Sequence, residues 1–137
     1  MIISNKEIIW WDYHPWLEIN PLRPDLIVVY KSQILIFEMS CPFDLRINEK
    51  KEEKETKYSK QYLKFMKRKI NELLDSDFEI TLVPIIVGAL GLFNSSLRID
   101  LEKYTDDKKI IEKIQKKTII NSAHILAHCN KIFLKDD

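Results

Sequence analysis

Two acidic residues stand out by where they fall. Asp25 follows Pro24 and opens one apolar run, Asp25–Lys31 (DLIVVYK), while Glu38 lies near the end of a second, Gln33–Ser40 (QILIFEMS), between Phe37 and Met39. A carboxylate inside an apolar strand carries a heavy desolvation cost unless it is paired or binds a cation. Asp after Pro, by contrast, is an ordinary turn residue when taken alone. If the two runs form a hairpin, both carboxylates arrive at one edge of a sheet.

Helical periodicity supplies a third group. At about 100° per residue from Lys54, Phe65, Tyr58, Tyr62 and Leu73 fall at about 20°, 40°, 80° and 100°. Lys54 therefore shares the sheet-facing side, whereas Lys57, Lys60, Lys64, Lys67 and Arg68 point elsewhere as an outward basic stripe. Two carboxylates and a lysine at one edge suit metal-dependent phosphodiester hydrolysis. The acids would hold Mg²⁺ through oxygen, and the ion would polarise the phosphate and help to generate hydroxide. The lysine would orient the water or stabilise the developing charge. The basic stripe would touch neighbouring phosphates without reading sequence. Each part also has a plain structural account. Asp25 can be a turn residue and Glu38 a strand carboxylate paired to a lysine. Lys50, Lys51, Lys54 and Lys57 can form a solvated helix start, Tyr58 can be a core aromatic with its hydroxyl at the site edge, and the stripe can be solvated surface.

The elements that must position these groups are legible in outline. Glu7–Asp12 (EIIWWD) reads as a short strand, and Pro15, Pro21 and Pro24 mark the loop after it. The two apolar runs, split by a polar turn at Lys31-Ser32-Gln33, predict an antiparallel hairpin. Because they are apolar on both faces, they predict a sheet covered by helices on both sides. A helical pattern covers about Ile47 to Leu74. Glu79–Val87 reads as a further strand, with Pro84 pointing to an edge or a bulge. The only two glycines, Gly88 and Gly91, follow it, where the backbone needs positive φ or very close packing. Asn94 offers a helix cap, and Lys108–Leu134 reads as a long terminal helix. The order is that of an α/β domain.

Other constellations are weaker. His124 and His128 are one turn apart beside Cys129, but no further zinc ligand lies at a recognisable spacing, so a helix packing face is the better account. Cys41 has no His neighbour to activate it as a nucleophile. Trp10, Trp11 and Trp16 could stack bases but more commonly anchor loops and cores.

Composition fits one domain. The chain has 137 residues, 45% apolar and 31% charged, with 22 basic against 21 acidic side chains. These values exclude collagen-like, disulfide-dense and intrinsically disordered classes. No apolar run is long enough to cross a bilayer, which predicts an intracellular protein with reduced thiols and no membrane partner. The charge is uneven: residues 1–48, 49–70, 71–107 and 108–137 sum to −2, +5, −6 and +4.

Arg23-Pro24-Asp25, Glu38 thirteen positions on, Lys54, Lys57-Tyr58 and Val83-Pro84-Ile85-Ile86-Val87-Gly88-Ala89-Leu90-Gly91, in that order, resemble the restriction-like endonuclease domain of site-specific non-LTR retrotransposons. That domain belongs to the PD-(D/E)xK nuclease superfamily. Trp11-Asp12 and the segment from Ile114-Gln115-Lys116-Lys117 to His124-Ile125-Leu126 are also similar, so the resemblance covers most of the chain. It implies one restriction-endonuclease-like α/β domain over residues 1–137, with a small mixed central sheet flanked by helices. Asp25 and Glu38 would be the Mg²⁺ ligands, with Mn²⁺ able to substitute. Lys54 would be the catalytic lysine, carried on the following helix because Ser40 holds the position two residues after the acid. Tyr58 matches a tyrosine one turn later, and Glu38 stands where Asp is commoner. Arg23, Lys57, Lys60, Lys64 and Arg68 would contact DNA.

The implied activity is nicking of target DNA, so that the freed 3′-hydroxyl primes reverse transcription in the nucleus, with a reverse transcriptase domain in cis or in trans. In the family that domain and a Cys/His zinc knuckle lie upstream. Neither lies in these residues, which leaves a C-terminal piece of a polyprotein, a free-standing reading frame or a decayed copy. Two further readings stay open: a catalytically silent DNA-binding remnant, in which Ser40 marks loss of the lysine, and a protein-interaction domain tethered to a reverse transcriptase.

Overall fold

The computed structural model describes the backbone of residues 2–4, 7–10 and 24–133 and the side chains of residues 24–128. The strands are β1 (Ile2–Ser4), β2 (Glu7–Trp10), β3 (Leu26–Tyr30), β4 (Gln33–Ser40) and β5 (Glu79–Ile86). The helices are α1 (Ile47–Lys57), α2 (Lys60–Leu74), α3 (Ser95–Glu102) and α4 (Ile110–Phe133), with a 3₁₀ turn at Asp44–Arg46. The protein is thus a mixed α/β chain. Its sheet runs in the order β1-β2-β3-β4-β5. Pro84 lies in the edge strand β5, where a missing donor costs least.

Two compact units divide the chain. The first takes residues up to Met39 together with Glu52–Ile85, the second Ser40–Lys51 and the residues from Ile86 onward.

The expected hairpin forms. β3 and β4 pair antiparallel with Ile27 opposite Ile36 and Val29 opposite Ile34. Its two-residue turn places Lys31 and Ser32 at φ 47° and 64°, the doubly left-handed geometry of a tight hairpin turn, which favours Asn-Gly. Neither residue is suited to it. Ser32→Gly is therefore expected to add about 0.5–1 kcal/mol of stability by relieving a left-handed side chain. Scanning calorimetry reads this as a higher unfolding midpoint, and an unchanged or lower midpoint refutes it.

One face of the hairpin carries the core of the first unit. Ile27, Val29, Ile34 and Ile36 pack with Tyr58, Tyr62, Met66 and Ile70, all buried, and each fully buried aliphatic side chain contributes about 1.5–3 kcal/mol. The helical segment is broken, which the periodicity did not show. α1 ends at Lys57; Ser59 is extended (φ −55°, ψ 157°) and caps α2 by accepting the Tyr62 N–H. Ser is a favoured cap because its hydroxyl satisfies an orphan N–H of the first turn. The break also shifts the stripe. Met66 is fully buried, while Leu73, expected inside, is exposed and Leu74 packs instead.

Three further outcomes concern the ends. β1, absent from the sequence reading, pairs antiparallel with β2. β2 coincides with the expected first strand as far as Trp10; Trp11, Asp12, the proline loop with Trp16, and Arg23 lie outside the described residues. Asn94 caps α3 by accepting the Ser96 N–H at 3.0 Å, as expected. Both reasons for a glycine pair are met, one at each position. Gly91 has φ 94°, and a Cβ on Gly88 would lie 1.9 Å from Asp44 Oδ1.

Candidate functional site

The hairpin register brings the two acids together. One step beyond Leu26 opposite Phe37 places Asp25 opposite Glu38, and directly opposed residues of an antiparallel pair share a face. That face is the one carrying Ile27, Val29, Ile34 and Ile36 toward Tyr58 and α2, because side chains alternate along a strand. Two hydrogen bonds join the pair. The Asp25 N–H donates to Glu38 Oε1 at 3.3 Å, and the Met39 N–H donates to Asp25 Oδ2 at 2.7 Å. The aspartate thus extends the ladder through its side chain, and it stays exposed.

Glu38 is only 1% exposed, and the last turn of α1 compensates its charge. Lys54 Nζ lies 2.6 Å from Oε2, and the Tyr58 hydroxyl donates to Oε1 at 2.5 Å. Lys57 Nζ stands 3.8 Å from Oε2 and 5.1 Å from the centre of the Tyr58 ring. Lys54, Lys57 and Tyr58 are spaced i, i+3, i+4, the spacing that puts helix side chains next to one another. Cations in a last turn are also favoured by the helix dipole.

The other lysine candidates go elsewhere. Lys51 Nζ donates to Ser96 Oγ at 3.0 Å, and Lys50 lines a separate cavity in the second unit. Of the four, Lys54 makes the direct contact.

Lys57 corrects the expectation of an outward-pointing side chain. The wheel placed its Cα off the sheet-facing line, but a four-carbon side chain on the neighbouring ridge reaches back to the carboxylate. The remaining basic stripe is partly neutralised. Lys67 pairs with Glu79 at 2.6 Å, and Arg68 lies 3.8 Å from Glu72 and over the Phe65 ring. Lys60 and Lys64 are exposed without an ion-pair partner among the described residues. His124 and His128 are exposed on α4, which corrects the expected packing face. Among the described residues no group of three or more His, Cys, Asp or Glu could hold a metal. Cys41 is an exposed free thiol, and no described helix is long and apolar enough to cross a membrane.

Burial, and then the hydrogen bond to the negative carboxylate, push the Tyr58 phenol far above its ordinary value of 10.0. Its sign sets a pH dependence. Above pH 10 the unfolded phenol loses its proton while the folded one keeps it, so this contribution to stability is intact below about pH 10 and is lost as pH rises beyond it. Alkaline titration followed by phenolate absorbance should show one tyrosine ionising only with unfolding, and Tyr58→Phe should flatten the fall of the melting temperature above pH 10. A Tyr58 that ionises in the folded protein refutes this.

Fold and geometry define a mixed α/β chain whose hairpin edge, in the first unit, holds a cluster of two carboxylates, a lysine and a tyrosine. No family model matches the chain, and neither the curated proteins nor the solved structures compared with it give a match.

Proposed function

We propose that this is a PD-(D/E)xK-type nuclease domain: a metal-dependent phosphodiester hydrolase that nicks DNA, with the resemblance to non-LTR retrotransposon endonucleases indicating target-primed reverse transcription as its use. The observation that carries the reading is the buried Glu38, opposite Asp25 and 2.6 Å from Lys54. A buried ion pair is usually no more stabilising than an apolar pair of the same size. Its presence in a hairpin otherwise lined by isoleucine and valine therefore favours chemistry over packing as its reason.

The donor set fits Mg²⁺. That ion takes one or two carboxylates and completes its shell with water and substrate phosphate. Asp25 and Glu38 supply two carboxylates, and Asp25 Oδ1 makes no hydrogen bond among the described residues. A bound ion would polarise the phosphodiester and acidify a water. The chain's own groups do the rest. Tyr58 and the Asp25 N–H hold Glu38 Oε1, which orients the carboxylate, and the Lys54 ammonium lies where it can stabilise negative charge developing on phosphate. Lys60 and Lys64, with Lys57 and Arg68, offer phosphate contacts along the helix.

Magnesium-dependent conversion of supercoiled plasmid to the nicked circle tests this reading, with the Asp25 and Glu38 variants as the decisive comparison. Salt-sensitive DNA binding without cleavage would instead favour the silent remnant.

A further inference from the structure

Both oxygens of the buried Glu38 are already engaged. Oε1 accepts two hydrogen bonds, from the Tyr58 hydroxyl at 2.5 Å and from the Asp25 N–H at 3.3 Å. A carboxylate oxygen offers two lone pairs, so Oε1 is filled. Oε2 holds the Lys54 ammonium at 2.6 Å, with that of Lys57 3.8 Å away. A cation that takes Glu38 together with Asp25 therefore enters at Oε2, and there it meets a resident positive charge. Two like charges on one buried oxygen repel strongly, because little water lies between them to screen the interaction.

The partners of Glu38 differ in how readily they move. Tyr58 is 2% exposed, and its ring packs against Tyr62 with the centroids 5.7 Å apart. Withdrawing its hydroxyl would disturb the core. The Asp25 N–H belongs to the backbone, and the bond from the Met39 N–H to Asp25 Oδ2 secures that end of the hairpin. Lys54 is held by less. Its side chain is 15% exposed, and its ammonium makes no second hydrogen bond or ion pair among the described residues. A flexible four-carbon stem lets that ammonium swing away without moving the backbone.

We infer that the Lys54 ammonium is the resident counterion of Glu38 and leaves Oε2 when a divalent cation binds, so that lysine and cation compete for one oxygen. Release also frees the ammonium to meet phosphate, which links loading of the site to the lysine's part in the chemistry. The inference rests on the metal-site reading above. It is tested on the full chain without DNA, by titrating Mn²⁺ and following the electron paramagnetic resonance signal of the free ion.

Lys54→Met should bind Mn²⁺ about 10- to 100-fold more tightly than wild type, the upper figure being set by the cost of breaking a buried pair. Lys54→Arg keeps the charge and should bind no more tightly than wild type. Because Lys54→Met is also expected to be less stable, the wild-type chain supplies a second readout. Saturating Mn²⁺ should raise the rate at which an N-hydroxysuccinimide ester acetylates Lys54 by several-fold, scored by peptide mass. In Glu38→Gln that rate should be high from the start and insensitive to the ion. Equal or weaker Mn²⁺ affinity in Lys54→Met overturns the competition and leaves the metal site standing, as does a Lys54 whose acetylation ignores saturating Mn²⁺. If neither wild type nor Lys54→Met binds Mn²⁺, or if Glu38→Gln binds it as wild type does, the metal-site reading falls and the competition with it.

Discussion

Glu38→Gln and Asp25→Asn should each slow magnesium-dependent plasmid nicking by about 10³-fold or more, or about 4 kcal/mol of transition-state stabilisation. The amides keep the shape of each side chain and remove the charge that would hold the cation. Glu38→Gln also leaves the Tyr58 hydroxyl and the Asp25 N–H a carbonyl to bond, so the hairpin edge persists. Because two ligands of one ion act as a unit, the double variant should be little worse than either single one. Lys54→Met should lose about 10²–10³-fold, the scale for removing one preorganised charge from a transition state. Unchanged circular dichroism and melting behaviour in Glu38→Gln would separate lost chemistry from lost structure. Nicking that persists in Glu38→Gln, or plasmid that stays intact with wild-type protein and either Mg²⁺ or Mn²⁺, would sink the proposal.

The second large effect is on stability. Lys54 is 15% and Glu38 1% exposed, so Lys54→Met strands a buried carboxylate with Lys57, 3.8 Å away, as the remaining cation. The expected loss is about 3 kcal/mol, the lower part of the range for breaking a buried pair. Glu38→Met combined with Lys54→Met removes both charges, and its stability should return to within about 1 kcal/mol of wild type or exceed it. The resulting coupling energy can be read from urea denaturation of the four proteins in a double-mutant cycle. A double variant as unstable as Lys54→Met would mean that the network is needed for folding and costs the protein no stability. A stable double variant that nicks no DNA would show a site kept at the expense of stability.

How much of this was legible beforehand follows from what each feature depends on. The hairpin was readable because two β-rich apolar runs flank a short polar turn, and register follows from turn length. Glu38 was readable because a charge in such a run demands a partner. The Gly88 and Gly91 requirement was readable because side-chain-free positions are needed only where backbone or neighbours crowd. The break at Ser59 was not. Tyr58, Tyr62 and Phe65 keep a helical spacing across it, and one serine is a weak signal against that pattern. A continuous helix would put Leu73 inside, whereas the broken one buries Met66 and packs Leu74. Nor could a wheel decide among the lysines, since Lys54 and Lys57 differ by less than their side chains can sweep.

Local pattern alone therefore established the α/β class, the hairpin and the need of one buried carboxylate for a cation. Those properties depend on periodicity and on the cost of burying charge, both carried by near neighbours in the chain. The tertiary structure decided which ammonium and which hydroxyl answer that need, because that depends on where α1 ends against the sheet. It also created the cavity in the second unit, which requires loops more than forty residues apart to be laced through Asp44.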